Sequence, residues 1–295
     1  MNSLVSVIIP TYNRARLLAK AIQSVINQTY VNWEILVVDN NSTDETDELV
    51  KNFNDIRIKL YKIHNNGIIA ASRNKGILNA QGDWIAFLDS DDLWYLNKLE
   101  IVMNSAIQNK EHEIFITNEL AIDNINRSSS ILRYGPFEKD FYKVLLLEGN
   151  KLSPSATVIK HSFLKENKIL FNESVDYIGV EDYDLWLNLA FHDARFKFID
   201  SIQGEFLIHP DNSDAHLYKQ RINFEKLLHN HIFEKQKFQS NPKLLWNQIS
   251  PMLSIISAKQ LFKNGQKYAA FKCLIIVMLN HPIGAIKYIF YKLVK

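Results

Sequence analysis

The sequence predicts an α/β fold: a mostly parallel central sheet with helices on both faces, continued by a helical C-terminal extension. Three observations carry this. Short apolar runs alternate with amphipathic stretches over the first ninety residues. The runs are unbroken rather than alternating, as strands covered on both faces must be. Beyond about Asn212 the pattern is helical only, with breaks near Asn241-Pro242, Asn264-Gly265 and His281-Pro282. A chain of 295 residues suits one large domain or one domain with an appendage. Residues 1–212 are expected to form the domain and 213–295 the appendage.

Each element follows from its local pattern. Leu4–Pro10, LVSVIIP, is the first strand, and Arg14–Asn27 places Leu17, Leu18, Ala21, Ile22 and Val25 at helical spacing. Trp33–Asp39 is the second strand, after which Ser42-Thr43-Asp44 caps a short helix. Ile56–Ile63 alternates as a strand, Gly67–Ala80 is helical and Asp83–Asp89 is the next strand. Leu96–Ile107 is expected to be a helix, Glu113–Asn118 and Ser155–Lys160 strands, and Val180–His192 an amphipathic helix. Phe196–Asp200 and Gly204–Ile208 are paired as a hairpin, while residues 119–155 have no readable pattern.

Composition narrows the class. Apolar residues make up 47% of the chain, enough for a sizeable core and too many for disorder. Cys273 is the only cysteine, so no intrachain disulfide can form and a reducing compartment is expected. No secretory signal and no apolar stretch of the ~20 residues a spanning helix needs can be read. The net charge of +2 hides an asymmetry: ten lysines and no acidic residue follow Glu234, which leaves the rest of the chain at −8. Such a tail points to an anionic surface, membrane or nucleic acid. It has no arginine and no nucleic-acid motif, so the expectation is a membrane and no nucleic acid.

Three of the predicted strands end in polar clusters: Pro10-Thr11-Tyr12-Asn13, Asp39-Asn40-Asn41-Ser42 and Asp89-Ser90-Asp91-Asp92. Open α/β sheets bind ligands at the carboxyl ends of their strands, which assigns all three clusters to one crevice. In extended backbone Asp89 and Asp91 can face one ligand, and hard oxygens at that spacing suit Mg2+ or Mn2+. A helix cap would use the same residues, and Asp92 is assigned to that role. Glu181 and Asp182 open a helix, where the macrodipole favours acids whatever their function.

The blocks VSVIIPTYNR, WEILVVDNNSTDET, NNGIIAASRNKGILNAQGDWIAFLDSDD and GVEDYDLWLNLA, in this order, resemble a family 2 glycosyltransferase of the A-type, Rossmann-like fold. The likeness covers roughly residues 3–212. It implies that Pro10, Thr11, Tyr12, Asn13, Arg14 and Asp39 cradle the base and ribose of a nucleotide-sugar, a UDP-sugar first among donors. It implies that Asp89 lies toward the ribose, that Ser90 also binds the nucleotide-sugar, and that Arg73 lies near the diphosphate, with Asn74 buttressing its loop. Asp91 would hold the Mn2+ or Mg2+ ion, joined by His209, and Asp182, beside Glu181, would be the catalytic base. Leu207 stands where the family commonly has arginine, and Asn188 where it often has a basic residue, so no acceptor contact carries over there.

The implied enzyme is a metal-dependent, inverting hexosyl- or N-acetylhexosaminyl-transferase of polysaccharide biosynthesis. Its acceptor is a hydroxyl of a glycan or lipid-linked molecule, and its place is cytoplasmic, peripheral on the inner membrane face. The apolar faces of the tail, including Ile286, Ile289, Phe290 and Leu293, could instead pack on protein or build a homodimer. Two other functions fit parts of the pattern: a haloacid-dehalogenase-like phosphatase and a non-catalytic nucleotide-sugar binding module. The phosphatase ranks lower, because Leu93 replaces its usual Thr or Val and the motif follows the fourth strand instead of the first.

Overall fold

The computed structural model describes residues 3–123, 126–136, 140–208, 217–263 and 265–280. Among them the strands join in one nine-stranded sheet. Its parallel half consists of β1 (Val5–Thr11), β2 (Trp33–Asp39), β3 (Ile58–Lys62) and β4 (Trp84–Phe87), in the order β3-β2-β1-β4. Every residue of β1, β2 and β4 is buried, which is why these runs show no polar alternation. The intervening helices are α1 (Ala15–Ile26), α2 (Thr46–Asn52) and α3 (Ile69–Asn79). α1 buries Leu18, Ala21, Ile22 and Val25, the stripe its spacing predicts, in the core cluster that holds Val7, Ile35 and Trp84. Asp44 accepts from the first amides of two helices, Ala15 at 3.0 Å and Thr46 at 3.2 Å. Burial raises its pKa, but the Thr46 hydroxyl and these amides outweigh burial and hold it below the usual value.

The sheet continues with β5 (Leu93–Trp94), β6 (Ile114–Asp123), β7 (Ser128–Leu132), β8 (Thr157–Lys160) and β9 (Phe196–Ile208). β8 runs antiparallel between β4 and β6, β9 runs parallel to β6, and β5 pairs antiparallel with β9. The further helices before residue 200 are α4 (Lys98–Gln108), α5 (Phe141–Glu148), α6 (His161–Glu166) and α7 (Glu181–Phe191).

Three expectations need correction. Phe196–Asp200 and Gly204–Ile208 do not turn back on each other; they are one strand of 13 residues. Both halves run parallel to β6, and register shifts around Asn118 absorb the polar residues between them. Gly204 serves close approach rather than a turn, since a Cβ there would lie 2.7 Å from the Leu93 carbonyl. The patternless region 119–155 contains the end of β6, the strand β7 and the helix α5; the serines of β7 are exposed, which removes the apolar signal. Asp92 caps nothing: it is 2% exposed and accepts from Ser155 Oγ at 2.6 Å and Leu207 N at 3.1 Å, while Asn97 precedes α4.

The chain divides into two compact units, residues 1–142 with 150–215, and residues 143–149 with 216–295. The second unit holds α8 (Leu217–Asn230), α9 (Pro242–Lys263) and α10 (Lys267–Asn280). His229 stacks on Phe233 with centroids 4.3 Å apart, and Trp246 meets His229 edge-on. α9 buries Leu245, Ile249 and Ala258, and its Ile255 packs with Val277 of α10. Among the described residues no helix is long and apolar enough to cross a membrane.

Candidate active site

The three polar clusters meet because β2, β1 and β4 are neighbours in the sheet, with Thr11 directly opposite Asp39. Asn13, in the left-handed region at φ +49°, lets the chain leave β1 sharply. Its Oδ1 accepts from Thr43 N at 2.7 Å and its amide donates to Ser42 Oγ at 2.8 Å, locking two strand-end loops together. Pro10, Thr11, Tyr12, Arg14 and Ser90 line one open cleft of about 280 Å³, with Asn40, Asn65 and Ser72. The Thr11 hydroxyl is buried there without a protein partner. Asp39 is fully buried and accepts from Ser42 N at 3.1 Å, from the Ser42 hydroxyl, and from Lys62 Nζ at 2.6 Å.

Reading the sequence alone missed Lys62, Asn65 and Ser72. Asn65 accepts from Gly67 N at 2.8 Å and donates to Ser72 Oγ at 2.9 Å, shaping the approach to α3. The Asn65-Asn66-Gly67 turn was its visible signal. Lys62 had none, being an ordinary strand-end lysine until β3 pairs with β2.

Repulsion within the Asp89–Asp92 run is relieved by two arginines. Arg14 Nη1 donates to Asp91 Oδ2 at 2.6 Å, and Arg73 Nη2 donates to Asp89 Oδ1 at 2.8 Å. The two carboxylates of the D-x-D thus pair with different arginines. Arg73 is 3% exposed and also donates through Nη1 to Glu181 Oε1 at 3.1 Å. Burial disfavours its charge, but Asp89 and Glu181 together outweigh burial and hold its pKa above the ordinary value. Asn74 clamps the segment after α6, accepting from Phe171 N and donating to Phe171 O, both at 2.9 Å.

Asp182 stands next to this hub at the first turn of α7. Its Oδ2 accepts from Asn150 Nδ2 at 2.9 Å and its Oδ1 from Tyr183 N at 2.7 Å. Burial, then the neighbouring Glu181, pushes its pKa up to about 6, against the pull of Arg73. Glu181 is fixed from the other side by Gly179 N at 2.7 Å. Behind the D-x-D lies a buried polar cluster. Lys98, wholly buried, donates to Thr117 Oγ1 at 2.7 Å, and burial lowers its pKa to about 8 although Glu119 and Asp92 pull it up. Glu119 accepts from the Tyr134 hydroxyl at 2.7 Å.

Among the described residues no three His, Cys, Asp or Glu side chains gather into a metal cage. His209 lies outside the described residues. Asp91 is a hard carboxylate that already holds a cation, the Arg14 guanidinium, at 2.6 Å. That donor set fits a divalent ion bound through one or two carboxylates and completed by phosphate oxygens.

The comparisons with known proteins converge on one family. The model of Glycosyl transferase family 2 matches residues 6–166, more than half of the chain. UDP-Glc:alpha-D-GlcNAc-diphosphoundecaprenol beta-1,3-glucosyltransferase WfgD of Escherichia coli is 35% identical over 186 residues, 63% of this chain and 69% of that protein. The chain spans only 57% of an uncharacterised glycosyltransferase of Rickettsia prowazekii, 36% identical over 189 residues. Among solved structures, the mannosyltransferase PcManGT from Pyrobaculum calidifontis in complex with GDP-Man and Mn2+ aligns at TM-score 0.60 and 18% identity, covering 100% of this chain and 80% of that one. Its likeness extends the agreement from sequence to the A-type glycosyltransferase fold. With the family blocks in order and the strand ends converging on one cleft, the chain belongs to glycosyltransferase family 2 and is a glycosyltransferase.

Proposed function

We propose that this enzyme moves a hexosyl or N-acetylhexosaminyl group from a UDP-sugar to a hydroxyl of a lipid-linked glycan, inverting the anomeric centre and using Mn2+ or Mg2+. The observation that carries this reading is the linked set Asp182–Glu181–Arg73–Asp89, in which a carboxylate of pKa about 6 adjoins a buried arginine. A base for a sugar hydroxyl works best with a pKa near the operating pH, and Asp182 has one. Asn150 and Tyr183 N orient its carboxylate, and Glu181 raises its basicity while anchoring Arg73. Pro10, Thr11, Tyr12, Arg14 and Ser90 line the cleft for the nucleotide, with Asn13 locking its loops and Asp39, held by Lys62, at the adjoining strand end. Arg73 offers positive charge to the departing diphosphate.

Asp91 and His209 would hold the divalent ion, which when bound supplies Lewis-acid stabilisation of the leaving diphosphate. A single base on one side and a leaving group on the other give inversion. WfgD, by its name, uses UDP-Glc and a diphosphoundecaprenol acceptor, which supports a UDP donor and a lipid-linked acceptor here. The catalytic domain is assigned to residues 1–212 and the basic extension to 213–295, working at the cytoplasmic membrane face.

A thermal-shift screen of nucleotide-sugars with Mn2+ tests the donor reading, because a bound donor stabilises the folded chain by mass action. The expected result is stabilisation by a UDP-sugar that requires the metal and disappears in Asp91→Ala. Metal-dependent donor binding of unchanged affinity in that variant would falsify the assignment of Asp91.

A further inference from the structure

Helix α10 buries one side and leaves the other bare. Ala270 and Val277 are buried, whereas Tyr268, Phe271, Leu274, Ile275, Met278 and Leu279 are 85, 66, 37, 49, 44 and 75% exposed. At 3.6 residues per turn these six side chains fall within an arc of about 140°. Lys272 falls just beyond one edge and Lys267 at the other, both exposed. Scattered surface hydrophobics need no explanation, but a continuous apolar stripe bordered by cations marks a contact surface. The helix has 14 residues, about 21 Å of length, which is short of the ~30 Å hydrocarbon core. Its described residues can therefore lie in a membrane interface but are too few to span one.

We propose that this face of α10 docks on an anionic lipid surface, with Phe271, Ile275 and Leu279 entering the acyl boundary and the flanking lysines meeting headgroup phosphates. Charge selects this occupant. From Lys235 to the C-terminus there are ten lysines and no acid, so an anionic surface is complementary over the whole segment. A second copy of the same face would set Lys267 and Lys272 against their own kind. The inference rests on the lipid-linked acceptor reading for its purpose only, since vesicle binding and sugar transfer are measured separately. Residues 281–295, where the expected apolar face of Ile286 to Leu293 falls, lie outside the described residues and are not needed for it.

The test is co-sedimentation of the full chain with phosphatidylcholine vesicles, with and without phosphatidylglycerol, at low and high salt. The chain should prefer the anionic vesicles by about tenfold or more and lose that preference in high salt. Phe271→Ser/Ile275→Ser/Leu279→Ser should abolish binding to both vesicle types, with thermal stability and donor binding kept because these sites are exposed. Lys267→Glu/Lys272→Glu should weaken binding to anionic vesicles only, about fivefold per lysine, and serves if the triple variant does not fold. Equal partitioning to neutral and anionic vesicles, or binding unaffected by either variant, overturns the proposal. So does a dimer in sedimentation velocity that the triple variant converts to monomer, which would make the face a subunit contact. Loss of donor binding with vesicle binding intact would instead defeat the transferase reading and leave this one standing.

Discussion

Asp182 takes its protonation behaviour from burial, from Glu181 beside it in the chain and from Arg73 far from it in sequence. Burial and Glu181 raise its pKa to about 6, and Arg73 limits the rise. If it takes the acceptor proton, kcat/KM should fall as pH drops through about 6, since the base is then protonated. Asp182→Asn should keep donor binding and lose about 10²–10⁴-fold in turnover. Wild-type turnover on a true acceptor would remove Asp182 from the chemistry. Stability should move the other way. The folded pKa lies above the unfolded value of ~4, so the unfolded chain releases its proton first and the carboxylate costs stability as pH rises from ~4 through about 6. The melting temperature of Asp182→Asn should therefore exceed the parent's at pH 8, and the gap should close below pH 4. A gap that widens in acid would mean that the carboxylate is stabilising.

Helices and strands approach one another only as closely as their side chains allow. α3 passes β1 at Gly76, where an added Cβ would lie 2.4 Å from Ile8 Cγ2. Gly76→Ala should cost about 1–3 kcal/mol by overpacking, read as a shifted urea midpoint with an unchanged slope. Donor affinity in native buffer should hold if α3 keeps its register; a large loss would show that the helix had moved Arg73. At the first residue of α4, Lys98 balances Asp92 and Glu119 in a buried setting. Breaking such a cluster leaves uncompensated charge, so Lys98→Met should destabilise by about 3–5 kcal/mol in denaturant titrations at pH 7. A change below 1 kcal/mol would indicate that the carboxylates are already protonated.

At the scale of the whole chain, two compact units lead to an expectation about cooperativity. Unfolding should not be two-state: calorimetry should resolve two transitions. Of the five tryptophans, Trp246 alone lies in the second unit, so Trp246→Phe isolates a fluorescence signal from the first. A UDP-sugar with Mn2+ should raise the transition seen by the remaining tryptophans and leave the other where it was. One transition that moves as a whole would show that the units unfold together.

The amino-acid sequence by itself determined the parallel half of the sheet and the helices beside it. Unbroken runs such as Trp33–Asp39 and the stripe from Leu18 to Val25 report burial through local periodicity, which needs no knowledge of partners. It also determined that the polar ends of β1, β2 and β4 share a crevice, because neighbouring parallel strands end on one side. Everything that depends on distant partners was decided by tertiary structure. The serines of β7 become a strand only through pairing with β6, and β9 is continuous only because β6 offers it a shifted register. Asp92 reads as a cap until Ser155, 63 positions away, donates to it. Arg73 meets Glu181 across 108 positions and Asn150 meets Asp182 across 32. Periodicity encodes which face of an element is dry; which charge stands beside which is set by chain reversals that bring together residues without any local relation.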